Sequence, residues 1–377
     1  MKRWRIAVYA IGILILSAAV ASGAEFRGLW VDAFHPGFKT PAQTTAMVAR
    51  AKECGFNAVV VQVRRRGDVY YKSAIEPMAT DVAPGYDPLA DIVKQAHAAG
   101  LEAHAWIAVY EVSHDVPYIK PDPAKVHLAH PNWLMKDEHG KSKFPGEKLY
   151  LDPGVPEVRE YLAGIIGEIA EKYEVDGVHL DLVKYPGPQS GYNDLSVSRF
   201  NEETKSQGKP KSTDKAWGDW RRAQVTEFVR LAKERLSQSR QRAKLSAAVS
   251  GSRYHAYENC LQDWVGWLKS GLLDFAVPMV FAMDDRVFQS TMADALKAGG
   301  SDKIYVGQGG WQLSAAQSVQ QIRKAREAGA KGIVIYSYAY CKDRRKGDAT
   351  SLMDALKAGL FARPDTVSAM PRERNAS

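Results

Sequence analysis

The chain alternates short apolar runs with longer amphipathic stretches, from residue 26 almost to its end. The runs have the length of buried strands, whereas the stretches between them repeat apolar positions at the spacing of a helix. The predicted strands cover 26–33, 57–64, 102–110, 177–182, 244–250, 275–281, 304–307 and 332–338. The predicted helices cover 41–54, 88–99, 155–173, 216–237, 260–269, 288–298, 315–328 and 348–360.

Eight strand–helix units in one chain predict an α/β fold of the (β/α)8 TIM-barrel type. The competing fold is an open doubly wound sheet, but no Gly-x-Gly-x-x-Gly loop follows an early strand. Long segments follow the second, third and fourth strands, at 65–87, 111–154 and 183–215. In a parallel barrel these segments lie at the C-terminal ends of strands, where the active site is built.

The two ends of the chain differ from this pattern. Three cationic residues among the first five precede an apolar stretch that ends near Val20, and Ser22, Gly23 and Ala24 follow. This layout is typical of a secretory signal peptide, although an uncleaved membrane anchor is the alternative. We therefore expect an exported protein, periplasmic or secreted, without a membrane span after cleavage. Its parts would be a signal peptide at 1–24, one barrel domain at 25–361 and a disordered tail at 362–377.

Composition narrows the function. The 377 residues are 45% hydrophobic, which is enough for a large core. The net charge of +8 falls to about +5 without the first five residues, which argues against a nucleic-acid partner. Of three cysteines, we expect Cys54 to be a buried thiol, and a bond between Cys260 and Cys341 stays open. No Cys/His spacing typical of a metal site occurs, and we expect no metal and no cofactor.

Polar and aromatic side chains stand where predicted strands end. They are Asp32, Arg64 with Asp68, Glu111, Asp181, Asp284 with Asp285, Trp311 and Tyr338. Several carboxylates around one rim are what glycosidic bond cleavage needs, because one protonates the leaving oxygen while another attacks the sugar or activates water. A phosphate-binding glycine loop and a Gly-x-Ser-x-Gly elbow are both missing, which disfavours phosphoryl transfer and serine hydrolysis.

The segment from Val175 to Gly187 is the most informative. Alternation along the strand puts His179 and Asp181 on one face, with Asp181 at the mouth of the barrel. His179 could then donate a hydrogen bond that keeps Asp181 ionised. The alternatives are a helix cap or ion pair for Asp181, and a buried core histidine for His179.

Further candidates for the site lie at other strand ends. Asp284 is either a proton donor or the cap of the next helix, and Glu111 is a further catalytic candidate. Trp106 and Trp311 lie at strands, where stacking on a sugar ring is expected. The tryptophans at helical spacing are expected in the core instead: Trp217, Trp220, Trp264 and Trp267.

Several motifs follow one another along the chain. They are Phe26-Arg-Gly-Leu-Trp-Val-Asp32, Val61-Gln-Val-Arg64, Gly67-Asp-Val-Tyr-Tyr71, Gly85-Tyr-Asp-Pro-Leu89, Ala103-His-Ala-Trp106, Pro156-Glu-Val-Arg159, Asp176–Pro186, Gln262-Asp-Trp264 and Leu272-Leu-Asp-Phe275. In this order they resemble the glycosyl-hydrolase-like family 10 proteins, over roughly residues 25–360. The resemblance implies a (β/α)8 barrel, a role in the bacterial envelope and a glycan as substrate.

The chain departs from the family pattern at a few positions. Leu182 stands where relatives commonly have Tyr or a second Asp, and Lys184 where they have Arg. Relatives often carry Asn-Pro-Tyr-Arg after the third strand, where this chain has Ala108-Val-Tyr-Glu111. Glu111 would therefore alter substrate choice. Asp284 matches a position where relatives often carry Asp.

These residues predict an exported glycoside hydrolase. We expect Asp181 as nucleophile or base, kept charged by Lys184, and Asp284 as general acid, with Glu111 as the third catalytic candidate. Side chains expected to hold the sugar are Asp32, Arg64, Asp68, Trp106, His179, Lys184, Tyr185, Trp311 and Tyr338. The resemblance and the export signal imply an N-acetylhexosamine-containing envelope polysaccharide, first of all peptidoglycan glycan strands. The alternatives are a non-catalytic glycan-binding barrel and a hydrolase of an exopolysaccharide.

Overall fold

The structure is a computed structural model that describes residues 25–114 and 122–362. The expected signal peptide lies outside the described residues, and so does the expected tail apart from its first residue. No helix within the described ranges is long and apolar enough to cross a membrane.

Eight parallel strands close into a barrel, which confirms the predicted fold. In chain order the strands are β1 (Phe26–Val31), β2 (Ala58–Arg64), β3 (Glu102–Ala108), β4 (Glu111–His114), β5 (Lys148–Tyr150), β6 (Gly177–Asp181), β7 (Lys244–Ser250), β8 (Phe275–Met279), β9 (Tyr305–Gly309) and β10 (Gly332–Tyr336). The barrel order is β1-β10-β9-β8-β7-β6-β3-β2, closed by pairing of β1 with β2. Strands β4 and β5 form a separate antiparallel pair in the long segment after β3, which the sequence did not predict.

Helices surround the barrel. They are α1 (Pro41–Glu53), α2 (Pro88–Ala98), α3 (Val126–Ala129), α4 (Pro156–Lys172), α5 (Asp194–Thr204), α6 (Lys215–Ser239), α7 (Trp264–Lys269), α8 (Asp285–Gly299), α9 (Ala315–Glu327), α10 (Tyr338–Cys341) and α11 (Leu352–Ala358). Eight of them follow the eight barrel strands, and the remaining helices α3, α5 and α10 belong to loops. Helix α7 begins four residues later than expected, with Asp263 as its N-cap, and a π-helical turn at His255–Asn259 lies before it.

Local sequence explains where helices begin. Thr40, Asp87 and Ser314 each accept a hydrogen bond from a backbone N–H in the first turn of α1, α2 and α9. Such caps satisfy donors that the helix itself leaves unpaired. Gly55 and Gly100, just after α1 and α2, have φ values of +78° and +71°, a conformation that glycine adopts without strain.

The barrel interior is filled by side chains. Phe26, Phe275 and Tyr305 stack on one another at its N-terminal end, with ring centroids 4.4 to 5.4 Å apart. Glycine makes room for the larger side chains, since a Cβ at Gly177 would lie 2.4 Å from His104 Nδ1. A packed interior leaves the C-terminal mouth as the place where a ligand can reach strand residues.

The outer layer, between strands and helices, holds the rest of the core. The four tryptophans expected there are buried, which confirms that expectation. All three cysteines are buried free thiols, so a bond between Cys260 and Cys341 is not formed. Burial raises the pKa of Cys54 to about 11 and that of Cys341 to about 12, which keeps both thiols protonated.

Candidate active site

Asp181 is the last residue of β6 and is half-buried at the C-terminal mouth of the barrel. The indole N–H of Trp106 donates to its Oδ2 at 3.1 Å, and the Leu182 backbone N–H donates to its Oδ1 at 2.7 Å. Trp106 lies on the neighbouring strand β3, in register with His179 of β6. Two donors from adjacent segments therefore fix the orientation of this carboxyl group.

The electrostatics of Asp181 differ from the expectation. Burial raises its pKa, and the Leu182 N–H, the Lys184 charge and the Trp106 N–H offset that increase only in part. The charge of Glu111 raises the pKa further. The charge of Lys184 therefore does not bring the pKa of Asp181 below its ordinary value, and a carboxyl of this kind holds a proton more readily than an ordinary aspartate.

His179 does not support Asp181 directly. Its Nδ1 pairs with Ser246 Oγ at 2.9 Å, and the structure gives no hydrogen bond between His179 and Asp181. Burial, helped by the nearby His104, lowers the pKa of His179 to about 3, so the ring is neutral. The ring is buried below the mouth, as expected for a core histidine, but its Nε2 has no hydrogen-bond partner among the described residues.

Aromatic rings form a floor around Asp181. The members of this aromatic floor are Trp30, Trp106, Phe281, Trp311 and Tyr336. Trp311 is half-buried, as a sugar-stacking side chain needs, and packs edge-to-face against Phe281 at 4.7 Å and Tyr336 at 5.2 Å. Trp106 is buried with its N–H committed to Asp181, so it positions that carboxyl group and has no free face for a sugar.

Tyr336 takes the place that was expected for Tyr338. Strand β10 ends at Tyr336, whose half-buried ring contacts Trp30, Trp106 and Trp311. Burial and the charges of Asp32 and Asp181 raise its pKa, so the phenol lies within electrostatic reach of both carboxylates. Tyr338 begins α10 and is buried against the outer core, so it does not reach the mouth.

Asp32 is a structural carboxylate. Its Oδ1 accepts from the backbone N–H groups of Phe34 and His35 at 3.0 and 3.2 Å, and from His35 Nδ1 at 2.7 Å. Its Oδ2 accepts from Ser337 Oγ at 2.7 Å. The side chain is fully buried and its oxygens are occupied, so Asp32 organises the loops after β1 and β10 and does not itself hold the sugar.

Glu111 is the carboxylate beside Asp181 in the fold. It follows β3, whose last residue Ala108 is in register with Asp181. Lys148 Nζ lies 3.1 Å from its Oε2, and Arg66 Nε lies 3.4 Å from its Oε1. Glu111 and Asp181 therefore differ in environment, as the two carboxyl groups of a glycosidase do.

Arg64 and Asp68 are not sugar-binding groups. The Arg64 guanidinium is fully buried and pairs with Glu76 through two bonds of 2.7 and 2.6 Å. It also donates to the carbonyls of Ala108 and Val109, so it holds the C-terminal end of β3 in place. Asp68 is buried too. Burial by itself raises the pKa of Asp68, but the charges of Arg65 and Lys125, at 3.2 and 3.3 Å, outweigh it and lower the pKa.

Asp284 is the N-cap of α8 and not a buried acid. It is exposed, and its Oδ1 accepts from the backbone N–H groups of Arg286 and Val287, both at 2.9 Å. The neighbouring Asp285 pairs with Lys324 at 2.6 Å. Asp284 therefore fits the cap alternative, with its carboxylate bound at the exposed N-terminus of α8.

Tyr185, which was expected to hold the sugar, does not lie at the mouth. It is fully buried behind the mouth, with the Arg221 guanidinium 5.8 Å from its ring centre, so it is a core residue.

Lys184, two residues after the half-buried Leu182, is itself half-buried, and the described residues give its ammonium no ion-pair or hydrogen-bond partner. Lys184 therefore stays available to a ligand.

The sequence missed Tyr336, Phe281 and Arg66 as contributors. Phe281 lies within the predicted strand 275–281, and its aromatic type at a strand end was the available signal. Arg66 is the third of three consecutive arginines, and its guanidinium reaches Glu111. The described residues contain no group of three or more His, Cys, Asp or Glu side chains that could hold a metal ion.

The chain is similar in sequence to known glycosyl hydrolases. Glycosyl hydrolase YngK of Bacillus subtilis is 25% identical over 96% of this chain and 77% of its own length. Glycosyl hydrolase DigH of Escherichia coli (strain K12) is 25% identical over 69% of this chain and 66% of its own length.

Among solved structures, the PgaB (BpsB) glycoside hydrolase domain from Bordetella bronchiseptica superposes with a TM-score of 0.66 at 15% identity. The match covers 92% of this chain and 100% of that chain, and at this identity it shows the shared fold alone. Residues 25–318, which carry β1 to β9, match the family described as Glycosyl hydrolase-like 10. The recognised resemblance and the predicted class, a glycoside hydrolase, are both confirmed. The chain belongs to the glycosyl hydrolase-like 10 family.

Proposed function

We propose that this protein is exported and hydrolyses glycosidic bonds in an N-acetylhexosamine-containing envelope polysaccharide, with the glycan strands of peptidoglycan as its substrate. The observation that carries the proposal is Asp181, a half-buried carboxyl with a raised pKa, fixed by Trp106 above an aromatic floor. Glycosidases need one carboxylic acid that keeps its proton near neutral pH. Asp181 is the described strand-end carboxyl that has this environment together with access to the mouth.

The two carboxyl groups then divide the chemistry. Asp181 donates its proton to the glycosidic oxygen as the bond to the anomeric carbon breaks. Glu111, which pairs with Arg66 and Lys148, supplies the second carboxylate of the pair, which either attacks the anomeric carbon or takes a proton from the attacking water. This assignment exchanges the roles that the sequence suggested, because Asp181 becomes the acid and Asp284 leaves the mechanism.

The surroundings favour a glycan that carries negative charge. Lys184 makes no ion pair or hydrogen bond within the described residues, and Arg66 and Lys148 share one carboxylate. The cationic side chains on this side of the mouth therefore outnumber the carboxylates that they pair with. The excess positive charge attracts a carboxylate on the substrate. Removal of the peptides from peptidoglycan exposes such carboxylates on its lactyl groups. Export is supported by the arrangement of the first 24 residues.

The test is release of reducing ends by the purified protein from peptide-stripped peptidoglycan, intact peptidoglycan, N-acetylglucosamine oligomers and a bacterial exopolysaccharide. We expect release from the stripped strands, and a loss of at least about a hundredfold in Asp181→Asn with binding retained. Asp284→Asn is the matched control, because it makes the same substitution at an exposed cap and should keep the activity.

Two results would contradict the proposed chemistry, and a third would change the substrate. Saturable binding without release from any glycan would identify a non-catalytic glycan-binding barrel. Release that survives Asp181→Asn would move the acid to another residue. Release from a bacterial exopolysaccharide alone would keep the chemistry and replace the substrate.

A further inference from the structure

The loop after β1 holds a histidine in a fixed orientation that the mechanism does not use. His35 Nδ1 donates to the buried Asp32 carboxylate at 2.7 Å, and the His35 backbone N–H donates to the same oxygen at 3.2 Å. The ring packs edge-on against Tyr340, with centroids 5.1 Å apart. Both the backbone and the ring of His35 are therefore held in place, although its side chain is 39% exposed.

The other ring nitrogen is available. When Nδ1 carries the single proton of a neutral ring and donates it to Asp32, Nε2 is a hydrogen-bond acceptor. The structure gives Nε2 no partner among the described residues. An exposed histidine that needs only water has no reason to be held by a buried carboxylate, since fixing a side chain costs rotamer entropy. An oriented acceptor at the mouth of a barrel suits a ligand with hydroxyl or amide N–H donors.

Exposed aromatic rings flank this acceptor. Phe34, the residue before His35, is 46% exposed, and Tyr340 is 37% exposed. The Arg66 guanidinium lies 4.8 Å from the Phe34 ring centre, which supports the ring from the protein side. Rings of this size that remain exposed beside a fixed polar group are the usual construction of a carbohydrate-binding surface, because the apolar face of a pyranose packs on the ring while its hydroxyls meet the polar group.

The three residues continue the aromatic floor. Tyr340 lies 6.3 Å from Tyr336 between ring centres, and Tyr336 is within electrostatic reach of both Asp32 and Asp181. Strand β1 neighbours β10 in the barrel, whereas Asp181 lies on β6, three strands from β1 in the other direction. A glycan whose scissile bond lies at Asp181 would therefore extend over Tyr336 to reach His35.

We propose that Phe34, His35 and Tyr340 form a sugar-binding subsite on the β1–β10 side of the mouth, in which His35 Nε2 accepts a hydrogen bond from a hydroxyl or amide N–H of a pyranose unit remote from the cleaved bond. The proposal rests on the proposed function, because it assumes a glycan bound across Asp181. It adds a binding residue that contributes to affinity for long glycans and takes no part in bond cleavage.

The test uses His35→Asn, in which the Asn amide can replace Nδ1 as donor to Asp32 while Nε2 is lost. His97→Gln is the matched control, because His97 Nε2 pairs with Asp176 Oδ2 at 2.8 Å in the same way at the N-terminal end of the barrel. On peptide-stripped peptidoglycan strands we expect His35→Asn to raise KM roughly three- to tenfold with kcat changed less than about twofold. His97→Gln should leave both constants unchanged.

A second variant protects the test against a local folding defect. Tyr340→Leu removes the ring and leaves the Asp32–His35 bond in place, and it should raise KM for the same strands. In the Asp181→Asn background, calorimetric binding of the strands should weaken by the same factor when His35→Asn is added.

The outcomes separate the two proposals. If the wild-type protein releases no reducing ends from any glycan, the proposed function fails whatever His35 does. If release occurs and His35→Asn behaves like His97→Gln, the subsite is refuted and the function stands. A fall in kcat of about a hundredfold at unchanged KM would also refute the subsite, because it would place His35 in the chemical step.

Discussion

The hydrogen bond from Trp106 to Asp181 offers a direct test of which carboxyl group carries the proton. Trp106→Phe keeps an aromatic ring in the floor and removes the N–H that lies 3.1 Å from Asp181 Oδ2. That donor stabilises the ionised carboxylate, so its removal raises the pKa of Asp181 further above the ordinary value.

The size of the effect follows from the nature of the bond. A hydrogen bond to a charged group contributes roughly 1.5–3 kcal/mol, and one pKa unit corresponds to about 1.4 kcal/mol. The pKa of Asp181 should therefore rise by about one to two units. A general acid must be protonated to act, so the alkaline limb of kcat/KM against pH should move upward by the same amount.

The assay is the pH profile of kcat/KM on peptide-stripped strands for wild type, Trp106→Phe and Trp267→Phe. Trp267 is the matched control because it is equally buried, and its N–H donates to Thr226 Oγ1 at 2.9 Å on the outer side of the barrel. Both variants lose core volume, but only Trp106→Phe should shift the alkaline limb of the kcat/KM profile to higher pH. An alkaline limb that stays in place or moves to lower pH would refute the assignment, and a shift of the acidic limb would make Asp181 the base or nucleophile.

Three further predictions address positions that the structure reassigned. Asp284→Ala should cost about 1 kcal/mol of unfolding free energy through the lost cap and leave kcat/KM unchanged; a hundredfold loss of kcat would return Asp284 to the mechanism. Arg64→Met should cost about 3–5 kcal/mol in urea unfolding, because it leaves Glu76 buried without its partner, and a second change, Glu76→Gln, should recover most of that cost; additive losses would refute the pairing. Asp152 is fully buried, and burial raises its pKa to about 6, above the ordinary value of about 3.9. The folded protein binds this proton more tightly, so its contribution to stability is present below about pH 4 and lost as pH rises through about 6, by about 3 kcal/mol. Asp152→Asn should abolish that part of the wild-type pH dependence, and unfolding curves that stay parallel across this range would contradict it.

The sequence determined the fold because the relevant signals are local. Alternation of apolar runs with helical periodicity, glycines after helices and capping side chains depend on neighbours within a few residues, and they located all eight barrel strands. The same reading placed Asp181 at the mouth, because the position of a residue at the end of a parallel strand follows from the fold class.

The tertiary structure decided what each strand-end residue does. Arg64 and Glu111 follow neighbouring strands and are both charged, yet Arg64 meets Glu76 in the interior while Glu111 lies beside Lys148. Residues 12 and 37 positions away supply these partners, and no local pattern specifies them.

The charge state of Asp181 depends on the same distant contacts. The sequence places Lys184 beside it, which suggested a lowered pKa, whereas burial by the surrounding barrel outweighs that charge and raises the pKa. Desolvation is a property of everything that surrounds a group, so it is fixed only when the chain has closed. The sequence determined which carboxyl group stands at the mouth, and the closed barrel decided that the pKa of this group is raised.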